Sequence, residues 1–528
     1  MTAAARQAFP ASLSLLGITV AGLIFLPLAY IISLAVSTQP AVWTRLWQTR
    51  IPELLWNTAT LAGGVAIGTL ILGVSLAWLV VRLEFPGRRF WEWALVLPLT
   101  MPTYVLAYVY SYALGIGGPV EHIWQRVAGP QSHVFSPQSY AGATLVMTLD
   151  TFPLVYLLAR AALLNLNVSF EEVARVCGLT RLGIIFRVTL PLLRPALVAG
   201  LSLVMLYVVS DFGAVSLLRY QTFTYAVYQQ MTGRYDHSAA AVLSLILVVF
   251  ALIFLLAERW FRRRSRFYQT TGRYRAAPRK PCGLLGSAAI TVYLGTIFGC
   301  AFLLPALLLL KWTLATIAQG TLDSRFWGFV WNSAMLSGVA ATAAILLGTP
   351  LAYLATRRSA RLNVLCLQAA YAGYVLPGPV GALAILLLFS QFAPFLYGTV
   401  VILIVAYVVH FLPAGLQTME PALHQLTPTL EEAARSLGAS AMETIRRITL
   451  PLVQGGFVAA WVLIFLQCMK ELPATLLLRP VGFDTLAVRV WLEASEEYFQ
   501  LAAPPAFLIV LLSLPALLLL LARDWRSA

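Results

Sequence analysis

Apolar stretches of about twenty residues recur along this chain, and a bilayer core about 30 Å thick needs helices of that length. Twelve stretches qualify: 13–37, 56–81, 91–116, 139–163, 191–218, 239–258, 283–311, 331–356, 364–392, 396–419, 452–478 and 499–522. Hydrocarbon offers no partner to a backbone N–H or C=O, so each stretch must satisfy its own groups as a helix. Only 11% of the 528 residues are charged, against about a quarter in soluble domains. The expected fold is an all-α integral membrane protein with about twelve transmembrane helices.

The first stretch is too long for the apolar core of a secretory signal and follows a single positive charge, Arg6, so it is expected to stay as a span; cleavage after Ala35-Val36-Ser37 is the lesser alternative. The net charge of +15 first suggests a nucleic-acid partner. With the N-terminus inside, however, 26 of the 36 lysines and arginines fall in cytoplasmic segments. That is the positive-inside asymmetry; it places both termini in the cytoplasm and argues against nucleic-acid binding. Cys177, Cys282, Cys300, Cys366 and Cys468 are scattered, without a C-x-x-C pair, and read as packing residues.

The chain repeats itself. At an offset of 260, 11 of the 22 positions 171–192 are identical to their counterparts, including Glu171/Glu431, Glu172/Glu432, Ala174/Ala434, Arg175/Arg435, Gly178/Gly438 and Pro191/Pro451. Trp56-Asn57 and Arg82 recur as Trp331-Asn332 and Arg357. The expected division is a first half over 1–258, a basic cytoplasmic linker over 259–282 and a second half over 283–528. Each half has six spans, so the two are parallel and related by a pseudo-two-fold along the membrane normal.

The best-kept segments are two cytoplasmic loops, about 165–190 and 425–450. Ser169-x-x-Glu172 and Thr429-x-x-Glu432 have the form of a capping box, and Gly178 and Gly438 suit the helix's C-terminal turn. A second short helix, 181–189 or 441–449, is expected to end at Leu-Pro, giving a helix, a turn and a helix outside the membrane. A well-capped connector is the plainer alternative.

The strings EEVARVCG…TLPL and EEAARSLG…TLPL resemble the E-A-A-x-x-x-G loop of binding-protein-dependent ABC permeases. The resemblance covers both halves and implies a bacterial inner-membrane protein that receives cargo from a periplasmic binding protein. In that family the loop is a coupling helix docked on a cytoplasmic ATPase. The role would pass to Glu171, Glu172, Ala174, Arg175 and Gly178, and to Glu431, Glu432, Ala434, Arg435 and Gly438. Val173 stands where the second copy has Ala433, which makes the two docking surfaces unequal. No G-x-x-x-x-G-K-[ST] is present, and Lys280, Lys311 and Lys470 each lack a preceding glycine. Two copies of a separate ATPase, carrying ATP and Mg, are therefore the expected partners, with no cofactor held by this chain.

Charge inside a span costs about 2.5–3.5 kcal/mol on insertion scales, so Asp150, Asp211, Lys470 and Glu471 should face protein or water. Asp211 and Glu471 are equivalent in the repeat; a structural ion pair and a cargo role both remain open. The lone His410, opposite Asp150, reads as a helix-to-helix hydrogen bonder. Segments such as LPLTMPTYVLAYVYSYAL and KELPATLLLRPVGFDTLAVRVW resemble fused permeases of ferric-iron importers. Ferric ion favours oxygen donors, and Tyr104, Tyr108, Asp211 and Glu471 are candidates along its path. Thiamine, polyamine, sulfate or phosphonate is the alternative cargo, since one layout serves all. A twelve-helix secondary transporter is the alternative of another class; it would need no matched docking loops. Catalytic motifs such as H-E-x-x-H and G-x-S-x-G are absent.

Overall fold

A computed structural model describes residues 11–526 except 130–131, 133–134, 265–277, 358–360, 372 and 374–375, so most of the expected basic linker lies outside the described residues. Among the described residues the chain is helical, with one two-residue parallel pairing of Leu83–Glu84 with Lys280–Pro281. Nine helices among the described residues are long and apolar enough to cross a bilayer, or ten if one bent pair is a single span. Ile67 and Ile71, one turn apart, are each 62% exposed, as expected of a surface whose solvent is lipid.

The expected count of twelve is not confirmed, and proline breaks two of the expected stretches. The stretch 91–116 is a pair, Arg88–Thr100 and Thr103–Ala128, bent by 93°. Pro98 and Pro102 supply no N–H there, and proline disfavours helix in the residue before it. The stretch 364–392 becomes Arg361–Ala370 and Gly378–Phe392 around Pro377 and Pro379. Both fifth stretches stop early, at Ser210 and Met469, and are followed after a short break by the stubs Gly213–Leu217 and Pro473–Leu478. The last stretch is covered by the helix Phe499–Arg526.

Two compact units emerge. One holds Met1–Trp43, Val227–Leu245 and Asp323–Arg489; its leading helix Ala11–Ser37 packs on Phe326–Arg357, Arg361–Ala370 and Gly378–Phe392. The other holds Thr44–Ala226, Ile246–Leu322 and Val490–Ala528; its helix Leu304–Ala318 packs on Phe499–Arg526 and touches Thr103–Leu114. Thus the leading helix of each sequence half lies in the unit built around the other half's core.

Each unit repeats one closely packed helix pair. In one, Ile51–Arg82 lies along Tyr140–Leu164 so closely that a Cβ on Gly73 would sit 2.7 Å from Val155 Cβ and 2.9 Å from the backbone nitrogen of Tyr156. In the other, Phe326–Arg357 meets Val400–His424, and a Cβ on the equivalent Gly348 would meet the flexible Met419 Cε at 2.9 Å. Backbone cannot yield as a methionine tip can. We predict that Gly73→Ala destabilises the folded chain by about 1–3 kcal/mol while Gly348→Ala costs under about 1 kcal/mol, measured as melting shifts of the purified protein; equal shifts would contradict this.

Candidate functional site

Both loops fold into short helices, Ser169–Val176 and Pro428–Ser436. The expected capping boxes do not form. Asn167 Oδ1 takes the Ser169 N–H at 3.1 Å and its hydroxyl at 2.9 Å, while Pro428 opens the second helix and Thr429 donates to the Thr427 hydroxyl at 3.1 Å. The first helix therefore starts at the residue expected to cap it, and the second one residue before it. The glycines do behave as expected, with φ of +84° at Gly178 and +91° at Gly438. Leu179 N–H returns to Ala174 O at 3.1 Å and Ala439 N–H to Ala434 O at 3.1 Å, closing each helix as a Schellman turn.

The expected second short helix does not end at Leu-Pro. Arg181–Ser210 and Ile445–Met469 each run on as one span-length helix through a π-turn, Ile185–Thr189 or Ile445–Thr449. Pro191 and Pro451 lack an N–H to give the preceding turn, and a wider i→i−5 turn accommodates the unpaired carbonyls.

The adjacent glutamates part company. Glu171 and Ala174, like Glu431 and Ala434, are buried, whereas Glu172 and Glu432 are partly or fully exposed. Glu171 Oε1 accepts from Arg82 Nη2 at 2.5 Å and Thr189 Oγ1 at 3.1 Å. Glu431 Oε1 accepts from Arg357 Nε at 3.1 Å and Thr449 Oγ1 at 3.0 Å, and its Oε2 from Tyr353 at 3.0 Å; Arg435 Nη2 lies 3.5 Å away. Trp78 takes the place of Tyr353 in the first copy, and Arg82 stacks 5.4 Å from its ring centroid. Arg82 and Arg357 recur in the sequence, but recurrence alone does not mark them as partners of the loop glutamates. On the open faces of the loops, Val173, Val176 and Phe170 are exposed, as are Leu430 and Leu437, and Arg175 is exposed beside them.

Among the described residues Asp211 and Glu471 find backbone partners rather than an opposite charge. Asp211 Oδ1 accepts from Ala214 N–H at 3.0 Å, and Glu471 Oε1 from Ala474 N–H at 3.1 Å, each capping the stub that follows a broken fifth span. Asp211 Oδ2 also accepts from Thr103 at 2.6 Å. The counterpart of Thr103 is Gly378, where a Cβ would sit 3.5 Å from Glu471 Oε1; the longer acid occupies the room that a shorter acid and a threonine share in the other copy. The Tyr207 hydroxyl interacts with both Thr103 and the buried Asp150, which puts Asp150 and Asp211 in one polar neighbourhood. Lys470 ends the helix Leu450–Met469. Tyr104 is buried against Gly213, and Tyr108 stacks between Trp312 and Phe499 at 6.2 and 6.3 Å. Among the described residues no group of three or more His, Cys, Asp or Glu is placed to hold a metal ion.

Two segments, 69–267 and 344–525, match the model of the family described as binding-protein-dependent transport system inner membrane component. The chain belongs to this family. Each matched segment contains one of the loops. The Fe(3+)-transport system permease protein FbpB 2 of Haemophilus influenzae is 32% identical over 479 residues, covering 90% of each chain. The ferric transport system permease protein FbpB of Actinobacillus pleuropneumoniae is 25% identical, covering 91% of this chain and 72% of that one. A crystal structure of a bacterial alginate ABC transporter with its periplasmic protein aligns at TM-score 0.37 and 19% identity, covering 42% of this chain and 82% of that one. The chain is thus a multi-pass, all-α transport permease with two family repeats in one polypeptide.

At φ near +90° a side chain costs about 1–2 kcal/mol. Gly178→Ala and Gly438→Ala should therefore loosen the loop helices, with amide exchange over 174–179 or 434–439 rising roughly ten-fold and the spans unchanged; unaltered exchange would contradict the turn assignment.

Proposed function

We propose that this permease imports ferric iron, taking it from a periplasmic binding protein and working with two copies of a separate ABC ATPase. The observation that carries the cargo is the 32% identity, over 90% of both chains, to a permease named for Fe(3+) transport. The two loops support the ATPase stoichiometry. Each presents apolar side chains, Val173 and Val176 or Leu430 and Leu437, to solvent on a short helix outside the spans. Such a face fits a hydrophobic groove on a partner.

Glu172, Arg175 and Gly178 would then dock and orient one ATPase, with Glu432, Arg435 and Gly438 doing so for the other, while Glu171, Ala174, Glu431 and Ala434 form the inner faces of the docking helices. ATP and Mg belong to those subunits, whose closure moves the loops and, through them, the spans. The permease would lie in a bacterial inner membrane with both termini in the cytoplasm. As cargo-pathway side chains we carry forward Asp150, Asp211, Lys470 and Glu471, with Tyr104 and Tyr108 as hydroxyl donors. The Tyr108 hydroxyl is buried and has no hydrogen-bond partner among the described residues. Asp150, Asp211, Glu471 and the two tyrosines are oxygen donors of the kind a hard cation takes, whereas the Lys470 ammonium is not a ligand and would act on the path only through its charge.

The test is uptake of radiolabelled ferric ion into vesicles holding the permease and its ATPase, with the loaded binding protein outside. Uptake should require ATP, and Glu172→Lys combined with Glu432→Lys should lower it at least about ten-fold without reducing membrane insertion, the scale of losing one charged contact at each interface. Uptake without the ATPase would favour a secondary transporter, and no ferric uptake beside ATP-driven uptake of another solute would overturn the cargo.

A further inference from the structure

We infer that Arg82 and Arg357, together with Thr189 and Thr449, are positioning residues that make each loop helix move as one piece with the ends of two spans. This rests on the coupling role proposed above and says which residues transmit it. In each copy one buried carboxylate joins three elements. Glu171 sits in the loop helix, Arg82 is the last residue of Ile51–Arg82, and Thr189 closes the π-turn that opens into Leu190–Ser210. Glu431, Arg357 and Thr449 stand in the same relation to Pro428–Ser436, Phe326–Arg357 and Leu450–Met469.

The geometry suits mechanical transfer rather than docking. Side-chain exposure is 8% for Arg82 and 12% for Glu171, and 7% and 2% for Arg357 and Glu431, so a partner protein has little of them to touch. Separating either pair would leave an ionised group buried without its counter-ion, which costs far more than separating a solvated surface pair. Arg357 Nη1 also donates to Leu426 O at 3.1 Å, holding the strand of chain that leads into the loop helix. A push on the open face of the helix is therefore passed to the second and fifth spans through the carboxylate, since sliding between them would break the ion pair and the threonine bond together. The same triad recurs with different neighbours, Trp78 in one copy and Tyr353 in the other, so the shared part is Arg, Glu and Thr.

The experiment uses the full chain in nanodiscs with its ATPase, following amide exchange over 351–357, the end of a span, and over 429–438, the loop helix, with and without ATP. In the unaltered protein ATP should change exchange in both segments. In Arg357→Glu the ATP-linked change should stay in 429–438 and fall at least about ten-fold in 351–357, and the reciprocal variant Arg357→Glu with Glu431→Arg should restore it to within about three-fold. Thr449→Val, a milder change that keeps the ion pair but cuts the bond to the helix Leu450–Met469, should partly reduce the ATP-linked change over 450–456 and serves if the charge variants fail to fold. A full ATP-linked change at 351–357 in Arg357→Glu, or at 450–456 in Thr449→Val where only that variant folds, would overturn the inference while leaving the coupling role standing. If ATP changes neither segment of the unaltered complex, the coupling role falls and the inference with it.

Discussion

Hydrocarbon cannot hydrogen-bond to a peptide group, and the whole structure is arranged around that constraint. Where the helices run unbroken the requirement is met by their own i→i−4 bonds. Where they break, a side chain is placed to meet it. Asp211 and Glu471 cap the stubs after the fifth spans. Asn57 donates to Gln221 O at 3.1 Å, and its repeat Asn332 to Asp484 O at 3.0 Å, so the recurring asparagine braces the chain that follows each stub. Thr58 and Ser333, the next residues in each copy, accept from the backbone of Phe223 and Leu486. The irregular backbone after each fifth span is thus met by partners that the repeat supplies.

The same economy explains the two adjacent glutamates of each loop. One of each pair turns inward to a buried arginine and threonine, and its neighbour faces solvent beside exposed apolar residues. A loop built this way has a rigid inner attachment and an open outer surface, which is what a part that receives force from another protein requires. The Schellman turns at Gly178 and Gly438 end the helix sharply, so the chain turns back into the span within a few residues.

Much of this was legible in the sequence, because duplication marks whatever both copies need: the inward and outward glutamates, the glycines and the Arg82/Arg357 pair all repeat. What escaped has physical causes. A Ser-x-x-Glu pattern reads as a capping box only if no better partner competes, and Asn167 and Pro428 set the helix starts instead. A π-turn inserts a single residue, too little for hydrophobic periodicity to reveal, so a continuous helix was read as two. Hydropathy windows smooth over Pro98, Pro102, Pro377 and Pro379, which hid the broken third spans. Thr103 and Tyr207 carry no repeat signal, since Gly378 and Gln467 stand in their places, yet they link Asp150 to Asp211. The placement of each leading helix in the unit of the other half's core is a tertiary fact with no local sequence mark.

Under the proposed function, two family repeats in one chain supply both docking loops of a transporter. The most direct measurement is the subunit ratio of the purified complex by native mass spectrometry. One permease chain with two ATPase subunits is the predicted result. A complex holding one ATPase per permease chain, whether as a single pair or as a dimer of permeases, would contradict it.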